Sequence, residues 1–238
     1  RGIVGFVDSI AGGGGIVSMT GFIIAGVPMH YALGTNKVQA LFGTAVATYN
    51  YVKNKSFRID FVIFSFIGSI IGAFLGSSIA TQLDQDFLKV LMSIVLVVVG
   101  AIIILNKKPK TSILDLEKNK IFIITFFIGL SIGFYDGILG PGTGTFLIIA
   151  FSMCGLSLLE SNGNAKIVNL GSNLMAALVF LLHGKVLFWL AIPCIITNMI
   201  ANYIGSKLAI KNGDRIVRPV LIFVLVLLFI KMIFDVIY

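Results

Sequence analysis

The sequence predicts an all-α polytopic membrane protein made of two homologous halves in opposite orientation. Three observations carry this. First, 58% of the 238 residues are hydrophobic and only 12% charged, where a soluble domain has about a quarter charged. Second, the stretches 9–36, 61–83, 137–159 and 186–206 hold no Asp, Glu, Lys or Arg. Each is of the length a helix needs to cross ~30 Å of hydrocarbon, about 20 residues. They are solidly apolar, without the alternation of barrel strands. Third, the chain repeats itself. A shift of 129 residues brings Gly34 onto Gly163, Lys37 onto Lys166, Leu41 onto Leu170, Ala47 onto Ala176 and Gly76-Ser77 onto Gly205-Ser206.

The first element is a broken segment over 1–27, "GFVDSIAGGGG", in which Asp8 stands one helical turn before Gly12–Gly15. Helices near 34–53, 58–82 and 87–105 follow, separated by connectors bearing Lys53, Lys55 and Arg58, then Asp84, Asp86 and Lys89. The polar run "NKKPKTSILDLEKNK" closes the first half. The repeats are thus 1–105 and 120–238, with a cytoplasmic linker over 106–119. A second broken segment, 120–158, contains "GFYDGILGPGTG", which a shift of 128 aligns with the first and so places Asp8 on Asp136. Helices near 163–183, 186–210 and 215–236 complete the chain. Only 11 residues precede Gly12, against about 20 before Gly140, so the first helix is expected to be short of a turn or more for a full span. No cleavable signal-peptide pattern is evident.

Charge placement orients the halves. The connector after the second element is basic in the first half, with Lys53, Lys55 and Arg58, but holds only Lys185 in the second. The next connector reverses this, with Lys89 alone in the first half against Lys207, Lys211, Arg215 and Arg218. Basic loops favour the cytoplasm, so the flip indicates an inverted repeat. Four simple crossings per half would leave the halves parallel. Each glycine-broken segment is therefore expected to be a re-entrant hairpin, followed by three spanning helices. The net charge of +8 lies in short connectors, which encodes topology and gives no reason to expect nucleic acid.

The candidate site residues come from the same repeats. Gly12, Gly13, Gly14 and Gly15, and Gly140, Pro141, Gly142, Thr143 and Gly144, break their helices at membrane depth, where loose backbone must line a cavity or be buried in protein. A half-helix starting there offers its N–H groups and positive dipole end to an anion; the alternative is close helix packing through small residues. "GPGTG" lacks the strand and lysine of a nucleotide loop. Lys37 and Lys166 read either as a cationic floor for an anionic substrate or as snorkelling or paired charges. Asp8 and Asp136 either hold those lysines or carry protons. Thr35, Asn36, Gln39, Asn164, Asn169 and Asn173 either bond a ligand or bond between helices. His30 and His183 fall at connectors, Cys154 and Cys194 lie in apolar runs without metal spacing, and Trp189 suits an interface. No Ser-His-Asp set, paired-carboxylate site, metal cluster or cofactor motif emerges, so no enzyme, metal or cofactor is expected.

"GFVDSIAGGGGIVSM", "ALGTNKVQALFG", "GFYDGILGPGTGTF", "NAKIVNLGSN" and "IGSKL" resemble the TauE/SafE family of sulfite-exporter-like anion permeases, in a branch of membrane transporters without a settled substrate. The resemblance covers essentially the whole chain. It implies a multi-pass carrier in the bacterial inner membrane for small sulfur-containing or other organic anions. Its site would lie between the halves, which would rock to give alternating access. The alternative is a proton-coupled exporter of a zwitterionic or uncharged metabolite using Asp8 and Asp136. A non-transporting scaffold would have no need of the repeated intramembrane charges. The expected partners are a small anion and the lipid bilayer, with a homo-oligomer left open. Pro141, Thr143 and Ala165 depart from the glycines and asparagine of the first half, so the two halves of the site are not equivalent.

Overall fold

The computed structural model describes residues 2–88, 90–91 and 117–237. The elements among them are helices: α1 Gly2–Ala11, α2 Gly14–Ile24, α3 Met29–Lys53, α4 Ile59–Ala80, α5 Lys118–Ile138, α6 Thr143–Met153, α7 Leu158–Leu182, α8 Phe188–Asn212 and α9 Asp214–Ile237. The expected helix over 87–105 and the linker over 106–119 lie, apart from their ends, outside the described residues. By length and composition α4, α5, α7 and α8 are able to cross a membrane. Two helices begin earlier than the apolar runs suggest. Pro28 stands at the N-cap of α3, where a missing N–H costs nothing. Ser157 and Glu160 form a capping box that starts α7, satisfying two otherwise orphaned donors.

Both broken segments turn back on themselves. A Cβ on Gly14 would sit 2.5 Å from Asp8 Cβ and 2.7 Å from the Val4 carbonyl oxygen, so α2 lies alongside α1. Likewise the rings of Tyr135 on α5 and Phe146 on α6 are 5.3 Å apart. The reversals use left-handed backbone at Gly12 (φ 75°) and at Gly140 and Gly142 (φ 88° and 83°), a region costly for residues with a Cβ.

The hairpins are clamped by helices from the opposite half of the chain. On α4, Gly72 abuts Leu130 and Phe134, and Gly76 abuts Phe134 and Ile138, so α4 and α5 run parallel in backbone contact. Small residues at every fourth position permit such an approach. α1 and α8 repeat the arrangement, with Gly5 against Asn198 and Ala201 and Gly205 against Phe6 and Ser9. α3 runs parallel to α8: Gln39 and Asn198 are joined at 3.0 Å, and Asn50 and Ser206 at 2.8 Å. α7 runs parallel to α4, since Asn164 bonds Arg58 and Val168 bonds Ser69. α3 and α7 are antiparallel, with Thr48 bonded to Lys166 while Gly34 packs on Phe180.

These directions gather Lys53, Lys55, Arg58, Lys118, Lys120, Lys211, Arg215 and Arg218 at one end of the bundle and leave Lys185 at the other. The outward faces are apolar, as with Ile63, Ile67, Ile71 and Phe74 on α4, Ile192, Ile196 and Ile200 on α8, and Trp189. The interior holds the polar side chains Thr35, Asn36, Lys37, Asp136, Asn162 and Lys166. That inversion of the soluble pattern suits a lipid solvent.

Candidate functional site

The two turns meet. A Cβ on Gly144 would lie 2.6 Å from Gly12 Cα, and Gly15 faces the backbone of Gly140 and Pro141. Where they meet, a cavity of about 40 Å³ opens, larger than the roughly 10–15 Å³ a single water requires on that measure. Gly14 and Gly15 of α2 and Thr143 and Gly144 of α6 line it. These are the first two residues of each half-helix, whose N–H groups have no acceptor within their own helix; Asp8 takes the Gly14 N–H and the Gly140 carbonyl takes the Thr143 N–H, each at 3.2 Å. Both helix dipoles thus present their positive ends to one space.

Each lysine is paired with the aspartate of the other half. Lys37 Nζ lies 2.7 Å from Asp136 Oδ1, with both side chains at most 2% exposed. Lys166 Nζ lies 2.9 Å from Asp8 Oδ2 and also donates to the Asp8 carbonyl at 2.5 Å. Asp8 Oδ1 accepts the Gly14 N–H at 3.2 Å, which fastens the start of α2. Buried pairs of this kind are costly to break, because removing one partner strands a charge. Gly140 is glycine for a local reason: its Cβ would come within 2.6 Å of Lys37 Nζ.

Of the sequence candidates, Asp8, Gly12, Gly14, Gly15, Asn36, Lys37, Asp136, Gly140, Thr143 and Gly144 come together around the cavity, joined by Gln39, Asn169 and Asn173. Gly13, Thr35, Gly142, Asn164 and Lys166 are not in its lining. Gly13 packs on Val224. Thr35 Oγ1 accepts the Leu187 N–H at 3.0 Å, just before α8, and Asn164 Oδ1 accepts the Arg58 N–H at 2.8 Å, just before α4. His30 sits 3.1 and 3.0 Å from the carbonyls of Ala80 and Leu83, at the end of α4. Ser18, Thr44 and Asn198 line the cavity and were not singled out in the sequence. The pair Asn198 and Asn202, one turn apart in apolar α8, was the available signal, since intramembrane amides bond across helices.

An apolar-coated helical bundle with two broken helices and buried charge pairs around a polar cavity defines a membrane transport protein. The comparisons narrow the class. The chain belongs to the sulfite exporter TauE/SafE family, whose description matches residues 2–232. It is 34% identical over 235 residues to the probable membrane transporter protein ORF9 of Sinorhizobium sp, covering 98% of this chain and 89% of that one. It is 29% identical over 236 residues to the probable membrane transporter protein YfcA of Escherichia coli K12, covering 98% and 87%. A probable membrane transporter protein of Haemophilus influenzae is 28% identical over 236 residues, covering 98% and 91%. No solved structure matches.

Proposed function

We propose that the chain is a secondary transporter of a small sulfur-containing or other organic anion, working by alternating access in a bacterial inner membrane. The observation that carries this is the convergence of two half-helix N-termini on one polar cavity beside Lys37. Helix N-termini bind anions through unpaired N–H groups and the dipole. The amides of Asn36, Gln39, Asn169, Asn173 and Asn198 complete a lining able to replace part of a hydration shell. Lys37 faces this space, and Lys166 serves to hold Asp8.

The repeats 1–105 and 120–238 are read as inverted. The antiparallel course of α3 against its equivalent α7 supports this, as does the gathering of basic residues at one end, taken as cytoplasmic. The rocking units are not the two sequence halves. The backbone contacts of α4 with α5 and of α1 with α8 tie each hairpin to the other half. The moving bodies are instead α4–α7 and α1–α3 with α8, hinged where α3 crosses α7.

The test is a binding screen of the purified protein against sulfite, thiosulfate, sulfoacetate, taurine and lactate. Saturable binding of at least one anion, lost in Gly144→Leu, is expected. Binding of taurine alone, the zwitterion of the set, would refute the anion reading.

A further inference from the structure

We infer that Asp136, and not its counterpart Asp8, is the group that takes up a proton when the anion binds, so that transport couples the two; this rests on the anion-transport reading above. The two aspartates are equivalent in the repeat but not in their surroundings. Both oxygens of Asp8 are engaged, Oδ2 by Lys166 and Oδ1 by the Gly14 N–H. Asp136 Oδ1 is held by Lys37 at 2.7 Å and by the Thr143 hydroxyl at 2.6 Å, while its Oδ2 is buried without a partner. Asp136 lines the cavity and is 2% exposed. A buried carboxylate oxygen without a donor is rare enough to call for an occupant.

The charges around it decide which occupant fits. Lys37 of α3 is its direct partner; Asp8 of α1 also lines the cavity, and Lys166 of α7 is paired to Asp8 from outside the lining. On its own helix the Tyr135 hydroxyl is turned to the Pro141 carbonyl at 2.5 Å. α4 presents Ala73 and Ser77 to this stretch, and α6 presents Thr143. Two lysines and two aspartates sum to zero, so an anion entering alone leaves an uncompensated charge in a low-dielectric space. A proton from water on Oδ2 makes Asp136 neutral and frees the Lys37 ammonium to turn to the anion. With a monoanion bound, the occupied site is then again neutral. When the anion leaves, the proton is lost to water and the carboxylate retakes Lys37. A proton thus travels with the anion.

The test uses the whole chain in nanodiscs, with methanesulfonate and lactate as probes, because both are monoanions that stay ionised near neutral pH. Calorimetry in two buffers of different ionisation heat counts the protons taken up. A single proton per anion is expected, with affinity rising roughly tenfold for each unit of falling pH while the carboxylate is ionised. Asp136→Asn should bind without proton uptake and without that pH dependence, whereas Thr35→Val, which lies outside the cavity lining, should retain both. Binding by the wild type without proton uptake overturns the coupling and leaves the anion site standing. Uptake that persists in Asp136→Asn overturns the assignment to Asp136. A wild type that binds neither probe but binds taurine overturns the anion reading and the coupling with it. Should Asp136→Asn fail to fold, pH-difference infrared spectra of the wild type serve instead: a buried carboxyl band that grows as pH falls supports the proposal, and its absence overturns it.

Discussion

Within the run Gly12–Gly15, the first and last positions should respond to the same methyl group in opposite ways. Gly12 has φ 75°, and its Cβ would land 2.5 Å from Gly144 Cα, on backbone that cannot swing aside. The left-handed conformation costs a residue with a Cβ roughly 1–2 kcal/mol, and overpacking adds about 1–3 kcal/mol. Gly12→Ala should therefore lose about 2–5 kcal/mol, a large share of a typical domain's stability. Gly15 is the second residue of α2, and its Cβ would meet the Gly140 oxygen and Pro141 Cα at 3.5 Å, ordinary contact. Gly15→Ala should fold as well as wild type, or gain up to about 1 kcal/mol from helix propensity. Its methyl group intrudes where an anion would approach the N–H groups of α2. One charge-assisted contact is worth about 1.5–3 kcal/mol, so affinity should fall roughly ten- to a hundredfold. Unfolding in mixed micelles by SDS measures the first effect and anion titration the second. Equal stability losses at the two positions would refute the contact geometry, and unchanged affinity in Gly15→Ala would refute the role given to the start of α2.

Two further outcomes follow from the same geometry. Cysteines placed at Lys55 and Lys211 should label from the cytoplasmic side and one at Lys185 from the other; opposite labelling of Lys55 and Lys211 would contradict the parallel course of α3 and α8. Thr35→Val and Asn164→Leu should each cost about 1–3 kcal/mol of stability by stranding the N–H of Leu187 or Arg58, with anion affinity unchanged; a loss of affinity in a fully stable variant would return either residue to the binding site.

Among the described residues, the order of the helices was legible because hydropathy and charge act locally. The repeat and the glycine clusters marked both hairpins for the same reason. Which lysine meets which aspartate was not legible: Lys166 and Asp8 are 158 positions apart, and the pairing depends on the hairpins crossing to the other half. The roles of Thr35 and Asn164 were hidden likewise. Each lies one turn or less from its lysine, so both looked like site residues, yet each points to the connector before a distant helix. The start of α7 was readable in "SLLE", a capping pattern masked by the apolar run around it. The glycines of α4 and α5 lie four apart, at Gly68, Gly72 and Gly76 and at Gly129, Gly133 and Gly137, and that spacing was the available sign of their parallel contact.

The halves agree in their scaffold contacts and differ around the cavity. Thr35 and Asn164 are repeat equivalents, and the connectors whose N–H groups they accept, at Leu187 and Arg58, are equivalents too. Gly34 and Gly163 pack on Lys185 and Ser56, again an equivalent pair. One scaffold contact has thus been kept twice. The departures, Gly13 against Pro141, Gly15 against Thr143 and Asn36 against Ala165, gather at or beside the cavity. Thr143 is the telling one. Its hydroxyl takes up the same Asp136 oxygen that holds Lys37, which leaves the other oxygen buried and unpaired. In the first half a glycine stands there, and the Asp8 oxygen is fastened to backbone instead. A single side chain thus turns one of two matching ion pairs from a strut into a group with capacity to spare, on a frame whose mechanical parts stay matched.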